Sequence, residues 1–146
     1  LNNNLMKRDA LTIAGEPIDL DRITQPLYAV TAEDDHIAPW RQCYRIRKYV
    51  NVAAPVRFVL STSGHILGIV NPPVNPPKRS FWVGEPERNE HFEHWFDRAE
   101  QKPGSWWDDW VTWLRPQCGA MVAPLSPASS DYPALAPAPG TYVHEK

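Results

Sequence analysis

Residues 26–65 read PLYAVTAEDDHIAPWRQCYRIRKYVNVAAPVRFVLSTSGH. Pro26 opens Leu27-Tyr28-Ala29-Val30, a short apolar run with aromatic and β-branched members, as expected of a strand buried on both faces. The polar cluster Glu33-Asp34-Asp35-His36 ends it. Pro39 suits the first turn of a helix. Trp40, Cys43, Tyr44 and Val50 recur at helical spacing while Arg41, Arg45 and Lys48 lie elsewhere, so the pattern predicts a helix from Pro39 to about Val50. Asn51–Pro55 leads into a second apolar strand, Val56–Leu60, which runs on into Ser63-Gly64-His65. Such a crossover makes the two strands parallel and predicts an α/β, doubly wound sheet flanked by helices. Two strands do not make a stable parallel sheet, because both faces need helices and both edges need neighbours; further strands are expected from upstream.

Outward from this stretch the pattern weakens. Leu1–Leu20 is polar and irregular, with a turn at Gly15-Glu16-Pro17, and reads as a loop entering the sheet. Beyond His65, Asn71-Pro72-Pro73 and Pro76-Pro77 can neither continue a helix nor donate to a central ladder, so helical structure is expected to stop by about Val70. Ser80–Val83 reads as a further short strand and Glu90–Glu100 as a helix with Phe92, Trp95, Phe96 and Ala99 on one stripe. Ser105 followed by Asp108 resembles a capping box. In the helix behind it, Trp106, Trp107, Trp110, Val111, Trp113 and Leu114 fall within an arc of about 160°. Tryptophans on one arc are more often core than binding platform, and the opposite side carries Asp108 and Asp109, not the lysines of a membrane-surface helix.

From Pro116 onward six prolines and six alanines occur in 31 residues, a composition that buries little and predicts a mostly disordered or extended tail over 116–146. About 115 residues are then left for a core, which sets one modest folding unit, residues 1–115, as the ceiling. The 15 basic and 17 acidic residues give a net charge of -2 with no long run of either sign, which argues against nucleic acid as a partner. Two cysteines, Cys43 and Cys118, fall short of a disulfide framework and match no zinc spacing, favouring a reduced, cytoplasmic setting. No apolar run reaches the eighteen or so residues that span a bilayer, and Leu1–Ala10 has no signal-peptide core.

Chemistry concentrates in the two loops that end the strands. A carboxylate that orients a catalytic histidine must be buried, accept its ring N–H and stay ionised; Glu33, Asp34 and Asp35 all qualify by position, although an acidic loop is most often only a solvated turn or helix cap. His65 follows Gly64, which lets the backbone turn and present the ring above the sheet. An acid on one βα loop and a histidine on the next, about thirty residues later, is the chain order of the last two triad members in α/β-hydrolases, whose nucleophile comes earlier. His36 either supports the site or caps the following helix, the second being favoured. Cys43 lies on the apolar stripe of its helix, the usual place for an inert thiol, and neither cysteine has a Gly-x-Cys-x-Gly setting.

Five linked segments then carry a family resemblance: Asp34-Asp35-His36-Ile37-Ala38-Pro39-Trp40; Arg57–Ser61 with Ser63-Gly64-His65-Ile66; Gly68–Pro73; Gly104-Ser105-Trp106-Trp107 with Trp110; and Pro137–Val143. Together they resemble the C-terminal region of polyhydroxyalkanoate synthases, and the ending resembles the single-subunit, short-chain class I members. The resemblance implies the C-terminal portion of an α/β-hydrolase fold, incomplete in this chain. It further implies an acyltransferase that polymerises (R)-3-hydroxyacyl-CoA with release of CoA, needing no cofactor beyond the coenzyme A of its substrate. It selects Asp35, directly before His-Ile-x-Pro-Trp, as the triad acid and His65 as the base, with His36 in support. The family's nucleophilic cysteine has no counterpart here. That absence and an opening without methionine lead us to expect a C-terminal piece, inactive alone. Expected partners are the hydroxyacyl-CoA and the growing polyester, with a second copy and granule-associated proteins as further candidates and the granule surface in the cytoplasm as the setting. The rival readings are another α/β-hydrolase, an esterase or depolymerase using the same pair, and a non-catalytic tryptophan-rich binding module.

Overall fold

The structure is a computed structural model that describes residues 2–126 and 128–145. The chain divides into two units, Leu1–Pro116 and Gln117–Lys146. In the first, a hairpin pairs β1 (Leu11–Ile13) with β2 (Glu16–Ile18). Its two turn residues, Ala14 at φ 51° and Gly15 at φ 85°, both lie in the left-handed region that a tight hairpin turn of this hand needs. The expected loop over residues 1–20 is corrected accordingly: paired backbone groups and a turn-compatible glycine suffice for two three-residue strands without apolar alternation.

A four-stranded sheet in the order β3-β4-β5-β6 forms the body of this unit. β3 (Leu27–Ala32) and β4 (Val56–Ser61) pair in parallel with Leu27 opposite Val56 and Ala32 opposite Ser61, as the crossover requires. β5 (Ser80–Gly84) lies antiparallel to β4, and β6 (Glu100–Pro103) antiparallel to β5, so the sheet is mixed where a parallel one was expected. The cause is the link between β4 and β5. Its prolines at 72, 73, 76 and 77 exclude the covering helix that would carry the chain back for another parallel strand.

The helix expected over 39–50 is two short ones, α1 (Trp40–Cys43) and α2 (Ile46–Tyr49). Between them the bonds tighten to i→i−3, from Arg45 N to Gln42 O, Arg47 N to Tyr44 O and Lys48 N to Arg45 O. Arg47 is tied down by the carbonyls of Pro86, Asn51 and Val52. α3 (Phe92–Arg98) stops short of Glu100, because Ala99 is already extended and the chain enters β6. α4 is Trp106–Leu114, with Ser105 as N-cap accepting from Trp107 N at 3.0 Å.

Alternation along β4 separates two packed layers. Phe58 and Leu60 face Trp40, Tyr44 and Trp95, while Val59 lies with Phe81 and Val83 on the side of Trp106. Trp95 is fully buried with Phe58 edge-on at 5.0 Å, and rings so arranged contribute about 1 kcal/mol beyond their burial. A third cluster, Val50, Ala54 and Val56, closes the end at which β3 and β4 begin.

α4 sits on the sheet differently from the expected tryptophan-down orientation. Asp109, whose side chain is 8% exposed, takes Arg57 Nε at 2.8 Å and Nη2 at 2.6 Å and the Tyr28 hydroxyl at 2.8 Å. Tyr28 and Arg57 are register neighbours on β3 and β4, so one carboxylate joins the helix to both strands. Burial pushes the Asp109 carboxyl up, but the bonds from Arg57 and Tyr28 outweigh it and hold it below the ordinary carboxylate range. With that anchor inward, Trp106 and Trp113 flank Tyr28 while Trp107 and Trp110 are 36% and 39% exposed. The apolar arc is therefore only half used by the core.

In the second unit the described residues form no strand and only one short 3-10 turn at Tyr142–His144; Met121 and Leu125 are almost fully exposed. No helix among the described residues is long and apolar enough to cross a membrane.

Candidate active site

β3 and β4 end side by side, and their loops are stitched together directly beyond the last paired residues. Glu33 N donates to Ser61 O at 2.8 Å and Asp34 N to Ser63 O at 3.1 Å. Asp35 then folds back, its N–H on Ala32 O at 3.3 Å, and its carboxylate is 5% exposed. Oδ1 accepts the amides of Ile37 at 2.9 Å and Ala38 at 2.8 Å, and Oδ2 lies 2.8 Å from His65 Nδ1. The Ala38 amide, then the His65 ring, hold this carboxyl below the usual range. An ionised carboxylate only accepts, so Nδ1 is the donor, and in the neutral ring Nε2 carries the lone pair. Of the three acids in the loop, Asp35 alone is buried; Glu33 and Asp34 are exposed.

The His65 loop turns at a residue other than the one expected. Ser63 takes φ 87°, a left-handed conformation that costs an L side chain about 1 kcal/mol, whereas Gly64 stays out of that region. The glycine that the loop cannot replace is Gly68. A Cβ there would lie 2.5 Å from the Ala32 Cβ, 2.9 Å from Gly64 O and 3.2 Å from Ser63 O, so the loop is pressed against the end of β3. Gly68 N donates to Gly64 O at 2.8 Å and Val70 N to Ile66 O at 2.8 Å. The His65 side chain is 45% exposed above this base. His36 is exposed, and among the described residues its side chain makes no hydrogen bond; the amides ahead of α1 are taken by Asp35 instead. Cys43 Sγ donates to Ala38 O at 3.6 Å, and burial, then the Asp35 charge, push its thiol up, away from a reactive thiolate.

Two cavities are lined in part by residues that follow the same strands, though neither Asp35 nor His65 lines either of them. One of about 250 Å³ lies between α1 and α3 over Trp40, Leu60 and Phe92. Its rim sets Glu33, Glu93 and Asp97 against Arg41, whose guanidinium sits 5.0 Å over the Trp40 ring, a balance unsuited to an anionic ligand. The other, about 310 Å³ and apolar throughout, is bounded by Ile69, Val70, Trp106, Trp107 and Trp110. No group of three or more metal-ligating side chains occurs among the described residues.

No family model matches the chain. Curated proteins do. It is 41% identical over 147 residues to the poly(3-hydroxyalkanoate) polymerase subunit PhaC of Cupriavidus necator, covering 100% of this chain and 24% of that protein. The chain is homologous to part of the poly(3-hydroxyalkanoate) polymerases. Polymerase 1 of Ectopseudomonas oleovorans is 38% identical over 99% of this chain and 25% of its own length. The Rhizobium etli polymerase subunit PhaC is 35% identical over 98% and 22%. The chain thus spans about a quarter of the length of these polymerases. The homology agrees with the family that the five motifs resemble. Sequence reasoning passed over Gly68 and Asn71 as parts of the polymerase motif Gly68–Pro73; the only visible signal was a glycine and an asparagine set close behind a loop histidine.

Proposed function

We propose that this chain supplies the acid and base of a class I polyhydroxyalkanoate synthase, an enzyme of α/β-hydrolase fold that polymerises (R)-3-hydroxyacyl-CoA. The observation that carries the reading is the buried, amide-held Asp35 bonded to His65 Nδ1 at the carboxyl ends of adjacent parallel strands, with Nε2 left for a reacting partner. The nucleophile in this reading is a cysteine in the remainder of the polymerase. Its thiol gives a proton to His65 Nε2 and the thiolate attacks the thioester carbonyl. The CoA thiolate leaves and takes that proton, and the same nitrogen then deprotonates the hydroxyl of the next monomer or chain end, which attacks the acyl-enzyme. Asp35 fixes the ring and stabilises its cationic form.

The sheet supports continuation of the fold past β3. Leu27–Val30 are only half buried although β4 beside them is almost wholly buried, and the outer edge of β3 pairs with no strand among the described residues. On this reading the chain is inactive alone, and the whole enzyme works at the granule surface in the cytoplasm, with a second copy or granule-associated proteins as partners. A serine at the upstream elbow would instead favour an esterase or depolymerase.

The test is CoA release from 3-hydroxybutyryl-CoA by the full-length polymerase carrying this sequence. His65→Ala and Asp35→Ala are expected to lower kcat by about a thousandfold or more. Near-normal turnover of either variant sinks the assignment.

A further inference from the structure

Three buried polar side chains near the His65 loop play no part in the chemistry above: Ser61, Asn71 and Ser105, at 0%, 3% and 4% exposure. Ser61 ends β4 and Asn71 ends the segment that carries His65. Asn71 Nδ2 donates to Ser61 Oγ at 3.4 Å, which joins the two ends of the loop across its base. The main-chain carbonyl of Asn71 accepts from Ser105 Oγ, the same hydroxyl that takes Trp107 N and caps α4. The next residue, Trp106, donates from Nε1 to Ile69 O at 3.2 Å. The start of α4 thus grips the far limb of the loop at Ile69 and Asn71, while Asp34 N grips the near limb at Ser63 O.

The ring at the crown needs such a base. His65 is nearly half exposed, and the bond to Asp35 is the one its side chain makes among the described residues, so packing alone does not fix where its Cβ sits. The backbone of 61–71 does, and that backbone is closed by Asn71.

We infer that Asn71 is a positioning residue for His65: its side-chain amide closes the 61–71 loop on Ser61 while its main-chain carbonyl, held by Ser105, ties that loop to α4, so that the imidazole stays within hydrogen-bond reach of Asp35. The buried amide touches no reacting atom and acts through the loop. The kinetic test rests on the proposed role of His65, and it is arranged so that the two ideas fail separately.

The experiment uses the full-length polymerase with 3-hydroxybutyryl-CoA and compares Asn71→Ala, Ser105→Ala and Ser105→Thr, each also in a His65→Ala background, with thermal melts as a check on folding. A displacement of about 1 Å at a catalytic group can cost on the order of a hundredfold, so Asn71→Ala and Ser105→Ala are expected to lower kcat by about 30-fold to 100-fold. KM should stay within about twofold, Ser105→Thr, which keeps the hydroxyl, should recover most of kcat, and no further loss should appear once His65 is alanine. Retention of kcat within about threefold in Asn71→Ala, or an equal loss in the His65→Ala background, overturns the inference. If Asn71→Ala does not fold, Ser105→Ala decides by the same criteria, since it cuts the other tie of the loop, at the Asn71 main-chain carbonyl, and Ser105→Thr controls for the lost cap of α4. Near-normal activity of His65→Ala itself would refute the site assignment instead, whatever the Asn71 variants do.

Discussion

Gly68→Ala tests how tightly the His65 loop is pressed on the acid strand. The added Cβ would meet the Ala32 Cβ at 2.5 Å, where carbon atoms rest at about 3.5–4.0 Å, and the Gly64 carbonyl at 2.9 Å. Neither neighbour is the flexible end of a side chain, so the loop must lift by about 1 Å or more. Overpacking of this kind costs about 1–3 kcal/mol, which at a typical urea dependence lowers the unfolding midpoint by about 1 M. The same lift stretches the 2.8 Å contact between His65 and Asp35 beyond hydrogen-bond length. Gly64→Ala is the control: its Cβ would find only Asp34 O at 3.9 Å, an ordinary contact, and the backbone there is not left-handed, so a change within about 0.5 kcal/mol is expected. Ala32→Gly should rescue part of the Gly68→Ala loss, because it removes the closest of the three clashing atoms. Urea titrations followed by circular dichroism decide the matter. A Gly68→Ala cost below about 0.5 kcal/mol, or a Gly64→Ala cost that exceeds it, refutes the argument.

Asp109→Asn removes the close counter-charge of the Arg57 guanidinium, leaving only the exposed Glu85 at 3.9 Å, and is expected to cost about 3 kcal/mol in urea unfolding. Because Asp109 and Asp35 are held below their ordinary pKa, the stability they contribute is in place above about pH 4 and drains away as pH falls through the depressed values; urea midpoints at pH 7, 5 and 3 should show this, with a smaller drop in Asp109→Asn. Ser63→Gly should stay within about 0.5 kcal/mol of the parent, while Ser63→Val, forced to the same left-handed φ, should lose about 1–2 kcal/mol in the same titrations. Acrylamide should quench Trp107 and Trp110 and spare Trp95; Trp107→Gln is expected to cost under about 1 kcal/mol and Trp95→Ala about 3–5 kcal/mol.

What could be read from the residues followed how local the cause was. Leu27–Val30, Val56–Leu60 and the helical spacing between them carry their own signal, and the parallel pairing follows from the crossover alone. The nearness of Asp35 and His65 follows in turn, because adjacent parallel strands release their loops at one edge. β6 was illegible because Glu100-Gln101-Lys102-Pro103 has no strand-like composition; it is a strand through its register with β5. The orientation of α4 was misread because hydropathy ranks tryptophan above aspartate as a core residue, and no residue within the helix announces that Tyr28 and Arg57 wait side by side on the sheet for a carboxylate. Gly68 was invisible for a similar reason, since its partner Ala32 is thirty-six positions away and only the fold sets their methyl-width gap.

The two borders of the sheet differ in kind. The β6 border ends in Glu100, Lys102 and Pro103, charges and a residue without an amide hydrogen, whereas β3 offers six uncharged residues with no proline among them. Fibrils grow by stacking sheets edge upon edge, which takes two adhesive borders per molecule. Among the described residues this four-stranded sheet has one, so association through β3 would be self-terminating: the first strand to arrive, from the same polypeptide or a neighbour, uses up that sheet's capacity for growth.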